Sequence, residues 1–179
     1  MKSKILLIDD SANNIELLFE MLNDTYEIFF ATNGVKGLEL ALDKQPDLIL
    51  LDIIMPDMDG FEVCLQLKHK PLTKDIPVIF LTAETETATI IEGFKAGIVD
   101  YVTKPFNSAE LSARVSTQIS LQQQKKQLQQ KNLELMQLNQ QLEDEIKQRQ
   151  KVETALQSAD QKLSAISQQE AKRWKIEAF

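Results

Sequence analysis

Short apolar runs alternate with amphipathic stretches along the front of the chain, and that alternation predicts a fold class. Residues 4–9 (KILLID), 26–31 (YEIFFA), 47–51 (DLILL), 77–81 (PVIFL) and 99–102 (VDYV) have the β-branched, nearly unbroken apolar character of buried strands. The stretches at about 11–23, 34–43, 59–69 and 84–95 repeat their apolar positions at helical spacing. Strand and helix therefore alternate strictly, which predicts a doubly wound five-stranded parallel sheet with helices on both faces. The punctuation agrees. Asn33-Gly34, Asp59-Gly60 and Gly97 are turn signals, Pro46 and Pro77 open strands where a missing N–H is harmless, and Ser11 or Asp10 caps the first helix.

The pattern changes after Pro105. From there to Phe179 the chain contains neither Gly nor Pro and is dominated by Gln, Leu, Lys, Glu and Ala, so it reads as one helix from about Ser108 to Lys172. At 1.5 Å per residue such a helix is about 100 Å long, too long to fold back on a domain of this size. Leu121, Leu128, Leu135 and Leu142 recur every seven residues; Arg149 interrupts, and Leu156 and Leu163 resume the same phase. A second seam position lies either three residues on, through Gln124, Lys131, Leu138, Glu145, Val152, Ala159 and Ile166, good only in its later part, or four residues on, through Lys125, Asn132, Asn139 and Ile146. Either phase predicts a weak coiled coil with polar seam positions that joins two copies of the chain, with a single solvated helix as the alternative; a parallel orientation is expected because passing a signal along the rod to paired outputs requires it. The expected organisation is a domain at 1–106, running into the start of the fifth helix to about 120, and a dimerising, signal-transmitting segment at 107–179.

Charge sharpens the division. Of a formal net charge of −7, residues 1–106 contribute 9 Lys/Arg against 18 Asp/Glu, and the remainder 11 against 9. An acidic front half suits a cation and argues against direct contact with nucleic acid phosphates. Cys64, the single cysteine, excludes a disulfide framework and reads as a buried helix thiol. No apolar run approaches the roughly 20 residues of a membrane span, and the acidic start MKSKILLIDD is unlike a signal peptide, so a cytoplasmic protein is expected. The abrupt ending WKIEAF suggests a chain cut from a longer protein.

Each strand of a parallel sheet delivers its last residues to one crevice. Here those residues are Asp9 and Asp10, Asp52, Thr82 and Lys104. Three crowded carboxylates repel one another unless a cation relieves them, and Mg²⁺, which takes one or two carboxylates and keeps several waters, fits such a set. Asp52 is the natural nucleophile, since a carboxylate can form an acyl phosphate directly. Thr82 then offers a hydroxyl to one phosphoryl oxygen and Lys104 a mobile charge to another.

In this arrangement LLIDDSAN, LLDIIMPDMDGFE, PVIFLTA and DYVTKPF resemble the receiver domain of two-component response regulators, over residues 1–106 and into the next helix. The resemblance implies a flavodoxin-like fold whose Asp52 is phosphorylated by a sensor histidine kinase or phosphotransfer protein. It implies Mg²⁺ held by Asp10, Asp52 and the backbone carbonyl of Ile54, with Asp9 acting through water. It further implies a cis peptide before Pro105 that aims Lys104 into the pocket, and a switch role for Thr82 and Tyr101. Catalysis would be confined to self-phosphotransfer and slow self-dephosphorylation, since Ile54 cannot orient a water. No histidine follows His69, so the chain is not expected to be a histidine kinase itself. Two alternatives stay open: a Mg²⁺-dependent phosphatase working through an aspartyl phosphate, and a scaffold that is never phosphorylated.

Overall fold

A computed structural model describes residues 2–83 and 87–177. Among them the elements run β1 (Lys4–Ile8), α1 (Ala12–Leu22), β2 (Glu27–Ala31), α2 (Gly34–Lys44), β3 (Leu48–Asp52), α3 (Gly60–His69), β4 (Val78–Thr82), α4 (Thr87–Ala96), β5 (Asp100–Thr103) and α5 (Ser108–Glu177). The expected start of the fourth helix, at 84–86, lies outside the described residues. All pairings are parallel, in the order β2-β1-β3-β4-β5. This is the doubly wound, flavodoxin-like sheet expected from the alternation, and its order reverses between β1 and β3.

The unbroken apolar runs follow from burial on both faces, because successive strand residues point to opposite sides. Leu6, Ile8, Ile49, Leu51, Val78 and Phe80 pack with Leu38 and Ala41 of α2 and with Val63, Cys64 and Leu67 of α3. Ile5, Leu7, Leu48, Leu50, Ile79, Leu81 and Val102 pack with Leu18 and Leu22 of α1 and Leu111, Val115 and Ile119 of α5. Cys64 is buried in α3, as its apolar neighbours suggested.

Local chemistry starts the helices. Ser11, not Asp10, caps α1 and accepts from the Asn14 N–H. The dipeptides Asn33-Gly34 and Asp59-Gly60 are helix entries: Asn33 caps α2, and Asp59 forms a capping box with Glu62 at the start of α3. Gly97 has φ 99°, the left-handed region glycine enters without strain.

The chain divides into two compact units, residues 1–126 and 127–179. Within the first, Leu111, Val115, Ile119 and Gln122 of α5 are buried. Polar ties continue along that helix: Gln122 Nε2 donates to the Asp75 carbonyl at 3.2 Å, Lys125 Nζ to Asp75 at 2.6 Å and Lys126 Nζ to Asp47 at 2.6 Å. In the second unit every side chain from 127 to 168 is exposed. No helix is long and apolar enough to cross a membrane among the described residues.

Candidate functional site

The strand order reverses between β1 and β3, which opens a crevice at their carboxyl ends. Ile8 is level with Leu51, so one further step in register sets Asp9 beside Asp52. Asp9 and Asp52 are buried, Asp10 is exposed, and each offers a carboxylate oxygen within 4.8 Å of the others. Lys104 enters from the end of β5, after which the Lys104–Pro105 peptide is cis. Its Nζ lies 2.8 Å from Asp52 Oδ2 and 3.0 Å from Asp9 Oδ2, bridging both buried carboxylates.

Neighbouring groups hold these side chains in place. Asp9 Oδ1 accepts from the Ser11 N–H at 2.9 Å, and Asn14 Nδ2 donates to both Asp9 oxygens at 3.0 Å. The Ile54 N–H donates to the Asp52 carboxylate, while the Ile54 side chain is exposed. Gly60 lets α3 press against the end of β3: its N–H donates to the Ile53 carbonyl at 2.8 Å. A Cβ at Gly60 would collide with the Asp52 carbonyl oxygen and lie 2.8 Å from Ile53 Cα, both backbone atoms that cannot rotate away. Gly60→Ala is therefore expected to cost about 1–3 kcal/mol, the usual range for overpacking, read as a lower urea midpoint. An unchanged midpoint would mean that α3 shifts freely.

Burial raises the pKa of the Asp52 carboxyl above the ordinary carboxylate range; the Asp9 charge adds to the rise, and the Lys104 hydrogen bond only partly offsets it. For Lys104 burial pulls the ammonium down, but hydrogen bonds to Asp52 and Asp9, with their attraction, outweigh it and hold the pKa above the usual lysine value. Lys104 thus stays charged between two carboxylates. Three hard oxygen donors gathered at one point fit Mg²⁺, and no comparable set occurs among the other described residues.

Thr82 is the last residue of β4 and is buried, with Leu81 level with Asp52 on the adjacent strand. Tyr101 lies within β5, level with Phe80, and does not join the carboxylate cluster. Half-buried, it meets Phe94 of α4 edge to face at 6.5 Å between ring centres, and the Arg114 guanidinium sits 5.9 Å from its ring. Arg114 Nη1 donates to both Asp100 oxygens at 2.8 Å, and its Nε to Glu110 at 3.0 Å, so α5 is tied to β5 beside Tyr101. Asn14 and Arg114 were not singled out from the sequence. Asn14 could have been found as an amide one turn into the helix after an acidic pair; Arg114 signals locally only its pairing with Glu110 four residues earlier, since its Asp100 partner is fourteen residues away.

The profile of the response regulator receiver domain matches residues 5–116. The chain belongs to this family. Relatives of this receiver include the response regulator PleD of Caulobacter vibrioides, 42% identical over 116 residues, which are 64% of this chain and 26% of PleD. Another is the DNA-binding dual master transcriptional regulator RpaA of Synechocystis, 44% identical over 115 residues, 63% of this chain and 47% of RpaA. The chain thus spans about a quarter to a half of the length of these curated relatives. Among solved structures, Vibrio cholerae chemotaxis protein CheY4 is 30% identical with a TM-score of 0.63, covering 65% of this chain and 98% of that one. The receiver domain of a Pseudomonas aeruginosa sensor histidine kinase, with magnesium coordinated in its active site cleft, is 27% identical with a TM-score of 0.63, covering 67% and 99%. Receiver domains bind Mg²⁺ at such an acidic site, and in this receiver the matching set is Asp9, Asp10 and Asp52.

Proposed function

We propose that Asp52 accepts a phosphoryl group from a sensor histidine kinase or phosphotransfer protein, and that the change this makes in the receiver alters a parallel homodimer formed through residues 107–179. The observation that carries the proposal is the buried Asp52 carboxylate, in contact with Lys104 and grouped with two further carboxylates at the sheet's switch point. An Asp52 oxygen attacks the phosphorus of a phosphohistidine; the O–P bond forms, the P–N bond breaks, and its electron pair returns to the imidazole. Asp10, Asp52 and the Ile54 carbonyl would hold Mg²⁺, with Asp9, whose oxygens already accept from Ser11, Asn14 and Lys104, acting through water. When bound, the ion supplies positive charge opposite the phosphoryl oxygens. Lys104 moves from the Asp52 carboxylate to one of those oxygens, and the Thr82 hydroxyl donates to another.

A phosphoryl group brings about −1.5 to −2 charges and three acceptors, enough to draw Thr82 and Lys104 toward it. The side chain of Tyr101 then repacks behind Thr82. Arg114 touches Tyr101 and is bonded to Asp100, so that repacking reaches the root of α5. The exposed leucines of α5, among them Leu128, Leu135, Leu142, Leu156 and Leu163, support a seam between two chains through which the change is passed on.

Acetyl phosphate with Mg²⁺ tests the reading. The full chain is expected to gain one phosphoryl group, mapped by peptide mass to Asp52. Steady release of phosphate from an ester would favour the phosphatase instead, and no uptake would leave a scaffold. The exposed, apolar Ile54 gives an attacking water no hydrogen-bonding partner. Ile54→Gln is accordingly expected to shorten the lifetime of the phosphorylated form roughly tenfold, equivalent to about 1.4 kcal/mol of barrier. The same decay rate in both proteins would show that residue 54 has no part in it.

A further inference from the structure

The seam of α5 contains a charged step. From Leu135 onward, spacings of three and four lead through Leu138, Leu142, Val152, Leu156, Leu163 and Ile166, all exposed. The same spacing runs through positions 145 and 149, where the chain has Glu145 and Arg149. Because residues spaced by three and four lie on one side of a helix, Glu145 and Arg149 share the face of these leucines rather than the opposite one. Arg149 Nε and Nη2 donate to a single oxygen, Glu145 Oε1, at 3.1 and 2.6 Å. A guanidinium has five N–H groups and a carboxylate about four acceptor positions, so this intrahelical pair uses only part of what it can offer.

We infer that Glu145 and Arg149 form a charged layer in the dimer seam, completed by the same two residues of a second copy, that selects the parallel, in-register pairing. The inference rests on the dimer reading above. At 1.5 Å per residue the two positions are about 6 Å apart along the axis, so in an in-register pair each Arg149 reaches Glu145 of both chains. A slip of one heptad sets Glu145 against Leu138 or Val152 and Arg149 against Leu142 or Leu156, leaving each pair desolvated with only its own intrahelical partner and no charge across the seam. Apolar layers alone would tolerate that slip. A polar layer is the device by which two-stranded coils set register at some expense of stability.

Charge exchange on the full chain tests this. R149E alone sets four carboxylates together and E145R alone four cations, so each is expected to dimerise about tenfold more weakly than the native chain in sedimentation velocity. Mixing the two should restore association as heterodimers, seen with a fluorophore on one variant, and E145R/R149E should again self-associate. Leu156→Cys should form an interchain disulfide under mild oxidation. A native dimer whose single variants associate as before, and mix without preference, overturns the charged layer alone. A dimer that Leu156→Cys does not cross-link overturns the in-register parallel pairing. A native chain that stays monomeric overturns the dimer reading itself.

Discussion

Asp52→Asn is expected to take up no phosphoryl group from acetyl phosphate and Mg²⁺, and to unfold at a higher temperature than the native chain at neutral pH. The first result follows because an amide cannot form the acyl phosphate. The second follows from the surroundings of Asp52, where burial raises the carboxyl pKa and the Lys104 hydrogen bond does not fully offset it. A carboxyl whose folded pKa lies above its unfolded value, about 3.9, stabilises the fold when protonated, and that contribution is lost as pH rises through the folded pKa. At neutral pH the ionised Asp52 is therefore a cost that asparagine removes. The variant orphans no charge, since Lys104 keeps Asp9 at 3.0 Å. The gain is expected to be about 1 kcal/mol, a few degrees in Tm, and to shrink as the solution is acidified through the raised pKa of Asp52 toward about 3.9. Thermal scans of both proteins across that range measure it; a variant less stable than native at neutral pH would show that Lys104 more than compensates the burial.

Lys104→Met acts in the opposite sense. It removes the cation that bridges Asp9, fully buried, and Asp52, 6% exposed. Losing one partner of a fully buried pair costs about 3–5 kcal/mol, and since Lys104 is itself partly exposed, roughly 2–4 kcal/mol is expected at neutral pH. With the cation gone, burial and mutual repulsion favour protonation of a carboxylate in the folded state. Stability is then higher at low pH and falls as pH rises through that raised pKa, so mild acid should recover much of the loss. Mg²⁺ should also stabilise the variant more than the native chain, because it would supply the missing positive charge. Urea unfolding at two pH values, with and without Mg²⁺, measures all three effects. A pH-independent loss would instead assign Lys104 a packing role, through its contact with the Phe106 ring at 5.9 Å.

Strands buried on both faces need continuous apolar runs, so KILLI, DLILL and PVIFL were legible as buried strands, and the polar residues that end them marked the crevice; that these three are the inner strands came only with the sheet order. The Asp-Gly at 59–60 was legible too, as the boundary where the third helix begins, but not for what its glycine does. Its glycine starts a helix packed against the Asp52 carbonyl, a through-space constraint that local turn chemistry cannot express. Asn14 on Asp9 and Arg114 on Asp100 and Tyr101 are contacts between separate elements, and periodicity within any one element is silent about them.

By itself the sequence determined what depends on neighbours along the chain: the order of strands and helices, the long glycine-free helix, its heptads, and which residues end each strand. Only the tertiary structure decided what those residues do to one another. Lys104 is 95 positions from Asp9 in the chain and 3.0 Å from it in space, and that approach makes a lysine that would otherwise be an ordinary surface charge the bridge between two buried carboxylates. Burial, which no local pattern measures, then raises the pKa of Asp52 while its neighbour Asp10 stays exposed to solvent.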